Sequence, residues 1–124
     1  MNLRTCLLLS DDPDDHIQFT EALNESSTDV VLLAVMEARK ATSLLAIKRH
    51  IPDFIIVDFD MMREELTAFM AIIESTPELS KIPVLIYGDA QDLYNVSSGR
   101  VYTLSCEELS YSELRALLRQ LLDR

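Results

Sequence analysis

Glycine is nearly missing from this chain: Gly88 and Gly99 are the only two in 124 residues. Loops that wrap a phosphate in backbone amides need glycines at a helix start, so the glycine-poor loops offer no nucleotide or flavin cradle of that kind. Cysteine is as scarce. Cys6 and Cys106 are the only two, and they form no metal or redox motif. They are expected to be reduced, small core or near-core residues of a cytosolic protein. Positive charge is outweighed: 11 lysines and arginines face 21 aspartates and glutamates, a formal net charge of −10. A nucleic-acid surface wants a basic stripe, so no nucleic-acid partner is expected, nor is there room in 124 residues for an attached DNA-binding domain. No apolar run nears the length of a membrane span, and the N-terminus lacks a signal-peptide pattern. The expectation is one domain, residues 1–124, cytoplasmic and off the membrane, with 48% hydrophobic residues to build a single core.

Against these absences stands the stretch from Pro52 to Met62, Pro-Asp-Phe-Ile-Ile-Val-Asp-Phe-Asp-Met-Met. Phe54 to Val57 are four apolar residues in a row, three of them β-branched. A short run of this kind fits a strand buried on both faces in the middle of a parallel sheet. It ends in Asp58, with Asp60 two residues on. Ligands of open parallel sheets bind just outside the carboxyl ends of the strands, so Asp58 stands where chemistry happens in this fold class. The bland alternative is a solvated turn aspartate that merely stops the strand. A second strand end weighs against it. Arg4 to Ser10 is another largely apolar strand, and Asp11, Asp12, Pro13, Asp14 and Asp15 follow. Side by side, the two strands bring Asp11 and Asp58 to one edge, where like charges call for a proton or a cation. Hard divalent ions take one or two carboxylates, a carbonyl and several waters, which makes a metal-assisted phosphoryl site the natural use of that edge.

Along the chain, Asp12 is placed as an N-cap, with Pro13 at the first helical position and Asp15 in the first turn. The helix is expected from Pro13 to about Asn24, with Ile17, Phe19, Ala22 and Leu23 inward and His16 as a solvated surface side chain. Asp29 to Met36 holds the second strand, Val30 to Val35. Glu37 to His50 fits a helix with Ala38, Ala41, Leu44 and Leu45 on its apolar stripe and Lys48 where the stripe leaves the core. Glu64 to Ser75 is a helix with Leu66, Phe69, Met70 and Ile73 inward, its methionines read as packing, and Pro77 closes it. Val84 to Tyr87 and Val101 to Leu104 are the fourth and fifth strands. Only about ten residues, including Asn95, Ser97 and Ser98, separate Gly88 from Gly99, short for two loops and a full helix. Ser110 and Glu113 form a capping-box pair before a last helix, Tyr111 to Asp123, with Leu114, Leu117, Leu118, Leu121 and Leu122 at helical spacing. Strands alternating with helices give an α/β, doubly wound five-stranded parallel sheet.

The chain resembles a receiver domain of the two-component response regulators over nearly all of its length. The residues that carry the resemblance are Ser10-Asp11-Asp12-Pro13-Asp14-Asp15, the Pro52–Met62 stretch, and Ile82-Pro83-Val84-Leu85-Ile86-Tyr87. It implies a flavodoxin-like sheet of strand order 2-1-3-4-5 with a shortened fourth helix. It also implies Asp58 as phosphoacceptor, and Asp11, Asp58 and the backbone carbonyl of Asp60 as ligands of a weakly held Mg²⁺. Implied partners are a sensor histidine kinase or phosphotransfer protein, a downstream protein target, and a second copy across the 4-5-5 face, formed by the fourth and fifth strands and the last helix; the shortened fourth segment is expected to uncover Leu93, Tyr94 and Val96 there as apolar contacts. Such a module is not an enzyme.

Departures from that pattern bear on the function. Ser10 stands where the first of two acids is usual. Gly88 replaces the serine or threonine that ends the fourth strand. Ser105 or Cys106 stands at the lysine position, and no realignment supplies one, because Lys81 is the last lysine. Leu66 aligns with a glycine, and Thr103 with the switch aromatic, Tyr102 being one residue off. The missing ammonium forfeits charge-assisted bonds worth roughly 1.5–3 kcal/mol each. Cys106→Lys with Gly88→Thr is the repair this suggests. Two functions therefore stand side by side: a phosphoacceptor with a degraded switch, and a phosphorylation-independent pseudo-receiver that acts as an interaction module. A hydrolase built on Ser10 and His16 is weaker, because the sequence places no orienting acid beside them.

Overall fold

The computed structural model describes residues 4–26, 30–37, 39–41, 43, 51–89, 101–105, 116 and 118–120. Five parallel strands form one sheet in the order β2-β1-β3-β4-β5, the expected topology. The strands are β1 (Arg4–Leu9), β2 (Val30–Val35), β3 (Phe54–Asp58), β4 (Val84–Gly88) and β5 (Val101–Ser105). Helix α1 (Pro13–Ser26) follows β1, a four-residue helix α2 (Phe59–Met62) follows β3 directly, and a 3₁₀ turn at Arg63–Glu65 leads into α3 (Leu66–Ser75). Residues 39–41, 43, 116 and 118–120 are helical.

The period of two along each strand sorts the core into two layers. Cys6 and Leu8, Phe54 and Ile56, and Leu85 and Tyr87 join Phe19, Ala22 and Leu23 of α1 and Leu118 on one face. Leu7 and Leu9, Ile55 and Val57, and Val84 and Ile86 join Ala41, Met62, Leu66, Phe69 and Ile73 on the other. Phe54 to Val57 are buried on both faces, as expected from their unbroken apolar run. Asp53 locks the lower end: its carboxylate accepts from the Thr5 amide at 2.6 Å, and its own amide donates to the Thr5 carbonyl at 2.8 Å.

Three expectations are corrected. The stretch after β3 is helical at once, where a loop was expected before Glu64. Ile17 is 58% exposed, so the inward face of α1 is Phe19, Ala22 and Leu23. His16 is half-buried, and its Nε2 donates to the Ser10 carbonyl at 2.7 Å. The methionine reading holds for Met70, which packs against the core, and Met61 and the buried Met62 before that helix pack against the same cluster. Cys6 is buried and free, as expected. Tyr102 packs against the α1-side cluster, whereas Thr103 is exposed. Ala38, Leu44, Leu45, Lys48, Leu93, Tyr94, Asn95, Val96, Ser97, Ser98, Cys106, the capping pair Ser110 and Glu113, Leu114, Leu117, Leu121 and Leu122 lie outside the described residues, as does the shortened fourth helix.

Candidate functional site

The strand period that sorts the core also builds the site. Leu9 pairs with Val57, so Ser10 and Asp58 come next on their strands, and Asp58 pairs with Tyr87. By parity all three belong to the α1 side of the sheet, at its carboxyl edge. The first turn of α1 lies over them. That turn is set by Asp12, whose Oδ1 accepts from the Asp14 amide at 3.0 Å, the expected N-cap. It carries Asp15 in. Asp15 Oδ2 accepts from the Ser10 hydroxyl at 3.0 Å and from the Tyr87 hydroxyl at 2.7 Å. Ser10 is fully buried, and its Oγ also accepts from the Asp12 amide at 3.2 Å. Burial above all raises the Tyr87 phenol well beyond its ordinary range; a bond to Ser10 opposes this and Asp15 adds to it. Tyr87 therefore stays protonated and donates.

Asp58 ends β3, and its Oδ1 accepts from the Asp60 amide at 3.0 Å, capping α2. Burial pushes its carboxyl pKa up to about 6; the Asp60 hydrogen bond opposes the rise, and the charges of Asp15, Asp60 and Asp11 reinforce it. Among the described residues no cation stands among these causes. Arg63 pairs with Asp60 at 2.6 Å and stacks on Phe59, 5.7 Å from the ring centroid. The site thus gathers Asp11 and Asp58 within electrostatic reach, as expected, and adds Asp15. Sequence reasoning passed over Tyr87, although the β3–β4 register and the strand period place it beside Asp58. Ser10 and His16 make no nucleophile–base pair: His16 binds the Ser10 carbonyl, and the Ser10 hydroxyl faces Asp15.

At Gly88 the structure explains the missing side chain. A Cβ there would lie 2.9 Å from the Cβ of Phe59, so the threonine repair requires a backbone shift at one of the two positions. Gly88 pairs with Ser105, the last residue of β5.

A scan against protein-family models finds no match, and a search of curated proteins finds none either. Solved structures do match. A signal receiver domain of a signal transduction histidine kinase from Clostridium thermocellum superposes with a TM-score of 0.81 at 14% identity, covering 98% of both chains. The bacteriophytochrome response regulator RtBRR gives 0.76 at 20% identity, over 96% of this chain and 78% of that one. The phosphorylated cyanobacterial phytochrome response regulator RcpA gives 0.71 at 20% identity, over 98% and 92%. The fold is that of the response-regulator receiver domains. Within the receiver fold, Leu66 has a packing role: it is only 7% exposed and sits in the core against Met62 and Phe69. Among the described residues no group of three or more His, Cys, Asp or Glu is set to hold a metal, and no helix is long and apolar enough to cross a membrane.

Proposed function

We propose that this chain is a cytoplasmic, receiver-like signalling module of a two-component phosphorelay, with Asp58 as phosphoacceptor. The observation that supports it is the position of Asp58, at the carboxyl edge of the central strand and within reach of Asp11 and Asp15. Oδ1 is held by the Asp60 amide, which leaves Oδ2 as the nucleophile. Oδ2 attacks the phosphorus of a phosphohistidine whose ring is protonated on its other nitrogen, the P–N bond breaks with its electron pair passing to the ring nitrogen, and neutral imidazole leaves. With a carboxyl pKa of about 6, Asp58 is mostly ionised at neutral pH, as a nucleophile must be. The donor is a sensor histidine kinase or phosphotransfer protein, and the product is read by a downstream protein target; a homodimer through the 4-5-5 face is a further option.

The donor chemistry fits a hard divalent cation that keeps most of its water, since it offers two strand-end carboxylates and no third acid at Ser10. Asp11 and Asp58 would hold Mg²⁺, which when bound neutralises charge on the phosphoryl oxygens. The Asp60 carbonyl lies in α2, where carbonyls point away from the N-cap, so it joins the set only as the first turn of α2 opens. The second reading, a phosphorylation-independent interaction module, is favoured by Phe59 across Gly88, which leaves no room for the usual hydroxyl. Incubation with a small phosphodonor and Mg²⁺, followed by intact mass, separates the two. The expected result is one added phosphoryl group in the native protein and none in Asp58→Asn. An unchanged native mass overturns the first reading in favour of the second.

A further inference from the structure

The ends of β3 and β4 meet through one residue. Asp58 caps α2 from an extended backbone, φ −78° and ψ 115°, as an N-cap does. Phe59 is the first residue of that helix, so the cap sets where its Cβ lies. That Cβ is the atom a side chain on Gly88 would strike, at 2.9 Å. Both atoms are bonded directly to backbone, so no rotamer change relieves the contact, and one chain segment has to move. The far end of α2 is closed by Arg63, whose amide donates to the Phe59 carbonyl and whose guanidinium binds Asp60. The four-residue helix is therefore a small unit held at its start by the Asp58 carboxylate.

We propose that Asp58 is a latch: while its carboxylate caps α2 it holds Phe59 against the end of β4, and its withdrawal from the Asp60 amide frees Phe59 and opens the Gly88 position. Any group that binds the carboxylate draws charge from a charge-assisted bond and so weakens the cap. Release also reshapes a neighbouring groove of about 460 Å³, lined by Glu37 and Arg39 on one side and Met61, Arg63 and Glu65 on the other. Such a latch needs neither the lysine nor the hydroxyl that this chain lacks.

The test contains no phosphodonor and no metal, so its failure leaves the phosphoacceptor reading standing. Gly88→Ala is made on the native, Asp58→Asn and Asp58→Ala backgrounds, and each protein is unfolded in urea. Asparagine keeps a capping oxygen and alanine removes it. The expected result is that Gly88→Ala lowers the urea midpoint on the first two backgrounds, and by less than half as much on Asp58→Ala, a coupling that independent sites lack. If Gly88→Ala alone does not fold, Asp58→Ala is expected to restore its folding. An equal change on all three backgrounds (none included), relief by asparagine as large as by alanine, or failure of single and double variants alike overturns the latch.

Discussion

Asp58 carries its charge where burial and three neighbouring carboxylates oppose it, and its pKa rises to about 6 as a result. A carboxyl raised in the folded state binds protons more tightly there than in the unfolded chain. Its effect on stability is therefore least unfavourable below the unfolded value of 3.8, grows into a cost as pH rises towards about 6, and is constant above. Asp58→Asn keeps the cap and removes the charge. In thermal melts at neutral pH it is expected to be more stable than the native protein by on the order of 1 kcal/mol, discounted for the solvent that reaches the carboxylate. The difference should close as pH falls below about 4; a gap that persists there would mean another cause. Tyr87→Phe removes the 2.7 Å bond to Asp15 and is expected to cost about 1–2 kcal/mol in urea unfolding. A change near zero would show that water replaces the phenol. Asp11 and Asp58 were legible from the sequence because each follows an apolar strand. Asp15 was legible only as a helix-start acid, because nothing local tells that its carboxylate turns back onto Ser10 and Tyr87.

At the scale of elements, the long periodic stretches were readable and the short ones were not. Phe54 to Val57 announced a central strand because four adjacent apolar residues suit a position buried on both sides. Asp12 and Pro13 announced the start of α1 through cap chemistry. Helix α2 escaped because four residues span barely one turn, too little to set a period, and because its cap is the residue read as the reactive group. His16 was misread for a similar reason: the carbonyl it seeks belongs to Ser10, which only the turn of the chain brings near. Leu66 opens α3, and its side chain fills the core. Leu66→Ala is expected to cost about 2–4 kcal/mol by urea unfolding, through lost burial and a residual cavity. A loss under about 1 kcal/mol would mean that α2 and α3 close over the gap.

For the molecule as a whole, the order β2-β1-β3-β4-β5 brings Asp11, Asp15, Asp58 and Asp60 to one edge of the central strands, in a protein of net charge −10. A divalent cation that binds the folded state alone stabilises it by mass action. Mg²⁺ is therefore expected to raise the melting temperature of the native protein gradually, as a weak ligand does, and to raise that of Asp11→Asn far less. An equal rise in both would place the ion elsewhere. What the order of strands could not reveal is how closely Phe59 approaches Gly88 across two strand ends. The most direct measurement is chemical trapping of the acyl phosphate. The protein is incubated with a small phosphodonor and Mg²⁺, reduced with borohydride, digested and mapped by mass. Homoserine at position 58, formed only when donor and Mg²⁺ are both present, is the expected result. An intact Asp58 in every peptide, or homoserine at Asp11, Asp15 or Asp60 instead, would contradict the assignment of Asp58 as the phosphoacceptor.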